Sequence, residues 1–177
     1  VLEEIGYHLD EAHTELYHQL RDSGLPGAEI PNKISESLDL PKLVSDSAEA
    51  WDGGYAICGT IGNGDMFVMR DPRGIRPCHM LINDEVMAFA SERVPLMTVF
   101  EAEEDEVQAS DPGTVVTIKA NGKMATTAFA EPCPHTPCSF EKIYFSRGND
   151  PQIYKERKAM GCALVPQVVE AIDGDFD

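Results

Sequence analysis

In residues 2 to 20 the apolar positions Leu2, Ile5, Leu9, Ala12, Leu16 and Leu20 recur at spacings of three and four, one stripe of a helix. Asp22-Ser23-Gly24 and Pro26 stop it. Shorter helical stretches are predicted around Ala28 to Ser37 and Lys42 to Trp51, the second behind a Pro41 that suits a first helical turn. From Gly53 the period changes. Tyr55 to Ile61 and Met66 to Met69 are short β-type runs split by the hairpin turn Gly62-Asn63-Gly64-Asp65. Cys78 to Ile82 and Val86 to Ala90 repeat the pattern around Asn83-Asp84, and Thr114 to Lys119 and Met124 to Phe129 around Asn121-Gly122. A short helix is expected after Pro95, a further strand at Ile143 to Phe145, and a closing helix from Tyr154 to Ile172 with a kink or break at Pro166. Helices, then an antiparallel meander, then a helix make an α+β domain.

Charge and composition narrow the class. The 177 residues carry 14 basic and 31 acidic side chains, a net of −17, so a phosphate backbone is repelled and nucleic acid is not an expected partner. With 42% hydrophobic residues the chain is too apolar for disorder, yet no apolar run approaches a bilayer span, and no membrane association is expected. The first 50 residues hold 11 acids and 3 bases, and Glu101 to Glu106 holds five acids, readings of a solvated helical flank and an exposed loop. Five scattered cysteines, without a signal peptide or glycosylation sequon, place the chain in a reducing cytoplasm. Because Val1 lies inside the first helical pattern and the chain stops at Asp173-Gly174-Asp175-Phe176-Asp177, it reads as a piece of a longer protein.

Few residues offer chemistry by themselves. His8, His13 and His18 are five apart, which turns them away from one another around a helix, so surface pairing with Glu4, Glu11 and Glu15 is the expectation. Cys133-Pro-His135-Thr-Pro-Cys138 collects three metal-type ligands in six residues, but a structural zinc takes four and no second ligand pair follows. A proline-stiffened loop with ordinary thiols is the simpler reading. No phosphate-binding glycine loop is present. The run Arg70-Asp71-Pro72-Arg73-Gly74-Ile75-Arg76-Pro77 could clasp an anion with its guanidinium groups; the alternative is a tight turn in which Asp71 caps the backbone and pairs with an Arg. Ser91-Glu92 has no nearby His and reads as a local cap.

Taken together, Gly53-Gly54-Tyr55-Ala56, Arg70 to Pro77, Ser91-Glu92, Pro112-Gly113, Pro137-Cys138-Ser139-Phe140-Glu141-Lys142-Ile143-Tyr144-Phe145, Tyr154, Arg157 and Met160-Gly161 resemble, in order and spacing, the glutamine amidophosphoribosyltransferases of purine synthesis. The resemblance runs from about residue 50 to residue 165. It departs at Arg147-Gly148-Asn149-Asp150, where the family reads Arg-Pro-Asp-Ser, and at Cys78, where it has Leu; the first 50 residues match loosely, as in a divergent branch.

The resemblance implies the rear part of an N-terminal-nucleophile glutaminase domain, an αββα sandwich with antiparallel sheets. Residues 1–50 would be its helical flank, 51–150 its antiparallel core, and 151–177 a helix leading toward a phosphoribosyltransferase domain. The parent enzyme would move ammonia from glutamine to phosphoribosyl pyrophosphate, with magnesium bound outside this chain, and would be a homo-oligomer. The alternative is a structural or oligomerising module of a divergent homologue. The nucleophilic Cys and the oxyanion donors would lie upstream, so no catalytic or cofactor-binding residue is assigned, and the fragment alone is expected to be inactive. Some members hold an iron-sulfur cluster through a Cys of the Pro-Cys-x-Phe-Glu segment, which implies a metal role for Cys138, with a packed thiol as the alternative.

Overall fold

The computed structural model describes residues 1–131 and 133–175 and divides into two compact units, Val1–Ile75 with Asp111–Thr136, and Arg76–Ser110 with Pro137 onward. The first unit opens with α1 (Leu2–Asp22), α2 (Ile30–Ser37) and α3 (Leu40–Ala48). The Ser23 hydroxyl donates to the Leu20 carbonyl at the end of α1, and Asp39 caps α3 by accepting from the Lys42 N–H at 3.0 Å. Pro31 and Pro41 occupy first-turn positions where no backbone donor is lost.

These helices pack on a four-stranded antiparallel sheet of order β1 (Ala56–Thr60), β2 (Met66–Arg70), β6 (Thr114–Ile118) and β7 (Met124–Ala128). Cys58 faces Val68, and Val68 faces Val116. Both hairpin turns form where asparagine and glycine require them, with Gly64 at φ 90° and Gly122 at φ 83°. The core joins Ile5 of α1, Leu40, Leu43 and Val44 around α3, and Phe67, Met69 and Val115 of the sheet. Gly59 leaves room for the Phe67 ring to lie across β1; a Cβ there would run into it.

In the second unit β3 (His79–Ile82) pairs with β4 (Met87–Ala90) and with the two-residue β5 (Gln108–Ala109), all antiparallel. Leu96 of α4 (Arg93–Phe100) and Val107 cover Leu81 in a small core. The unit ends in α5 (Pro151–Ala171), whose first turn is capped by Asp150 accepting from the Gln152 and Ile153 N–H groups.

Two expectations change. The run Glu141–Phe145 is not a strand but a π-helical turn, closed by a bond from the Ser146 N–H to the Glu141 carbonyl at 2.8 Å. Its apolar side chains Ile143, Tyr144 and Phe145 are more than half exposed, so the β-type run has no sheet to join. The last helix also runs on through Pro166, so of the expected kink or break the break does not occur. Among the described residues no helix is long and apolar enough to cross a membrane.

Candidate functional site

The charged turn after β2 is built from the inside. Asp71 is fully buried; its N–H donates to the Tyr55 carbonyl at 2.9 Å, and its Oδ1 accepts from the Arg73 and Ile75 N–H groups at 3.1 and 2.9 Å. The Gly74 N–H closes the turn on the Asp71 carbonyl, and the Arg70 guanidinium reaches the Gly74 carbonyl at 3.2 Å. Two further segments lock onto it. The Gly113 N–H donates to the carbonyls of Arg70 and Asp71, and the Thr136 N–H to that of Arg73 at 2.8 Å. Gly74 stands at φ 61°, and a Cβ on it would lie 2.7 Å from the His135 ring and 2.9 Å from Pro112. Turn, Pro112-Gly113 and the 133–136 loop thus form one interlocked assembly in the first unit, with the His135 ring packed beside Gly74. Tyr55, at its edge, has its phenol pushed up to about 12 by burial and then by the Asp71 carboxylate.

Arg76 belongs to the second unit. It makes an ion pair with Glu141 and lies 5.8 Å from the centroid of the Phe145 ring, so one guanidinium meets the first and last residues of the π-helical turn. From α5, Arg157 donates to the carbonyls of Lys142 at 2.8 Å and Ser146 at 2.7 Å, satisfying acceptors that the wide turn leaves open, while Lys142 pairs with Glu156 at 3.0 Å. Glu92 accepts from the Arg147 N–H at 2.9 Å, and Arg93 pairs with Asp150 at 3.3 Å and Glu104 at 3.0 Å. The carboxylates at 71, 92, 141 and 150 are acceptors for backbone or guanidinium donors, a scaffold of turns and helix starts.

Cys138 sits half-buried just before the π-helical turn, its carbonyl accepting from the Glu141 N–H, and Cys133 is exposed. An iron-sulfur cluster takes four ligands. Among the described residues no three His, Cys, Asp or Glu side chains gather into a metal-holding group. Cys138 therefore fits one ligand position, with the others not supplied by its described neighbours. Of the early histidines, His8 approaches Glu11 at 3.9 Å, whereas Glu15 accepts from Gln19.

Sequence reading missed a second polar centre. Asp65, buried beyond the first hairpin turn, accepts from Lys119 at 2.8 Å, the Ala120 N–H at 2.9 Å and Asn63 at 3.1 Å. Asn63 also donates to Ser35, and Lys119 to the Leu38 carbonyl, so α2 and both hairpins are tied together. Burial alone would raise the Asp65 carboxyl, but the bonds from Lys119, Ala120 and Asn63 outweigh it and hold it below the usual range. The only signal was an Asp in a turn, and its partner lies 54 positions away.

Known proteins place this arrangement. The chain is similar to the amidophosphoribosyltransferase of Pasteurella multocida, with 36% identity over 135 residues, 71% of this chain and 26% of that protein. It is 33% identical over 160 residues to the amidophosphoribosyltransferase of Pseudomonas aeruginosa, 84% of this chain and 31% of that protein. Among solved structures it is similar to the glutamine phosphoribosylpyrophosphate amidotransferase from B. subtilis complexed with ADP and GMP, with a TM-score of 0.54 and 26% identity over 77% of this chain and 30% of that one. No family model matches. The chain spans under a third of the length of these relatives.

Proposed function

This chain belongs to the amidophosphoribosyltransferase family, and on that premise we propose that it is the rear part of the glutaminase domain of a glutamine-dependent amidophosphoribosyltransferase. The observation that carries the proposal is the identity of 33% over 84% of the chain. The turn at Arg70 to Pro77 and the segment Pro137 to Phe145, which carry the resemblance, are each held by hydrogen bonds from other segments of their unit.

The parent protein would release ammonia from glutamine and use it to displace pyrophosphate from phosphoribosyl pyrophosphate, giving phosphoribosylamine for purine synthesis. In that protein the antiparallel sheets belong to an αββα sandwich of the N-terminal-nucleophile type, with residues 1–50 as helical flank, 51–150 as core and 151–177 leading to the phosphoribosyltransferase domain. Attack on an amide needs a thiolate, a base and oxyanion donors at one point. Those groups, like the magnesium that activates the pyrophosphate, would come from the family's remaining length. The contribution of this chain is positional. Asp71 fixes the end of β2, Gly74 and Gly113 let three segments close on one another, and Arg76 and Arg157 hold the π-helical turn. The parent is expected to work as a homo-oligomer in the cytoplasm.

The test is an assay of the full-length protein for pyrophosphate release from phosphoribosyl pyrophosphate. We expect release that depends on glutamine and magnesium. A folded full-length protein that releases none, with ammonia or glutamine, would overturn the enzyme reading in favour of a structural module.

A further inference from the structure

We propose that Asn121 is a modification site, at which the backbone of the chain itself converts the side-chain amide to an acid, and that the equivalent Asn63 is protected from the same reaction. Of the five asparagines, Asn63 and Asn121 are the two that precede a glycine. A glycine has no side chain to shield its backbone nitrogen, so that nitrogen can attack the amide carbon of the residue before it. Base takes the proton of the Gly122 N–H, the nitrogen bonds to Asn121 Cγ, the Cγ–Nδ2 bond breaks, and ammonia leaves with the proton that the base returns. Water then opens the cyclic imide to aspartate or isoaspartate. No other reactant is needed.

The two hairpin turns have the same backbone, which leaves the side chain to make the difference. The Ile61 N–H donates to the Asp65 carbonyl at 2.9 Å, and the Lys119 N–H to that of Lys123 at 2.9 Å. The attacking N–H groups are equally engaged, Gly64 on the Ile61 carbonyl at 2.9 Å and Gly122 on the Lys119 carbonyl at 2.8 Å. Each asparagine Oδ1 accepts from the N–H two positions on, at 2.9 Å for Asn63 and 3.0 Å for Asn121. The amide nitrogens part company. Asn63 Nδ2 donates to Ser35 Oγ at 2.9 Å and to Asp65 Oδ2 at 3.1 Å, and it must leave both before its Cγ can turn onto Gly64. Among the described residues nothing accepts from Asn121 Nδ2. Space points the same way. A Cβ on Gly64 would lie 3.3 Å from Ala120 Cβ, whereas nothing lies within 4 Å of one on Gly122, and Asn63 is half-buried where Asn121 is exposed. Ser35 and Asp65 both belong to this chain, so the restraint on Asn63 travels with it into a longer protein.

Peptide mapping by mass spectrometry on the full-length protein, incubated at mildly alkaline pH with and without urea, tests this. In urea both turns are lost and the two rates report the local sequence alone. In native buffer, with each rate divided by its value in urea, Asn121 should convert about 30-fold faster than Asn63, the worth of the two hydrogen bonds that Asn63 has to break. Ser35→Ala, which removes one of those acceptors, should narrow the gap several-fold. Each event adds one acid to a chain at −17, between Lys119 and Lys123, and yields a later-eluting species on anion exchange that Asn121→Ser should abolish. Equal normalised rates overturn the proposal, as does an Asn121 that stays unconverted in native buffer while the urea sample reacts, because the turn would then protect itself. A gap unmoved by Ser35→Ala overturns the tether as its cause, and an acidic species that persists in Asn121→Ser overturns the site.

Discussion

Asp65 joins the two hairpin turns of the first unit, its Oδ1 accepting from the Ala120 N–H and its Oδ2 from Lys119 and Asn63. Its carboxyl is held below the usual range, so between the folded and unfolded values the unfolded chain binds more protons. The contribution is complete above about 3.8, the ordinary value, and is lost as pH falls through the folded one. Overall charge acts the other way, since acid relieves the repulsion of a chain at −17. The effect must therefore be read as a difference between variants. Asp65→Asn should cost about 1 to 3 kcal/mol near neutrality, leaving the partly exposed Lys119 with the Leu38 carbonyl alone, and the gap from the native chain should narrow below pH 4 in urea melts. A gap constant with pH would mean that Asp65 acts by shape and not by charge.

At the scale of elements, the interlocked turn makes a prediction that separates strain from contact. Gly74 has both a left-handed backbone and the His135 ring where a Cβ would go. Gly74→Ala should cost about 2 to 4 kcal/mol, combining the left-handed penalty of about 1 to 2 with displacement of the ring. His135→Ala should return the second part only. A double-mutant cycle in thermal melts measures this, and full additivity would show that His135 does not press on Gly74. The hairpins and the cap at Asp71 were readable from Asn-Gly, Gly-Asn-Gly-Asp and Asp-Pro-x-Gly signals. The π-helical turn was not, because Ile143-Tyr144-Phe145 has a strand's composition, and the carbonyls it leaves open are met by Arg157, 15 positions beyond Lys142.

At the scale of the whole molecule, the family's chemistry and this chain's residues can be separated by assay. The purified chain is expected to release no ammonia from glutamine in a coupled glutamate assay, and to carry no stoichiometric iron when purified anaerobically. Ammonia above a blank that is lost on alkylation would place a working nucleophile among its five cysteines. Iron with sulfide would make Cys138 part of a site built here. The sequence by itself determined the helices and hairpins, the antiparallel character of the sheets, the turn at Asp71 and the family. Those rest on periodicity, turn chemistry and motif order, which act between near neighbours or survive as linear patterns. Only the tertiary structure decided that Asp65 meets Lys119, that His135 packs on Gly74 and that Arg76 answers Glu141. Each of those depends on which distant segments the folded chain brings within a few ångströms, and no local preference encodes that distance.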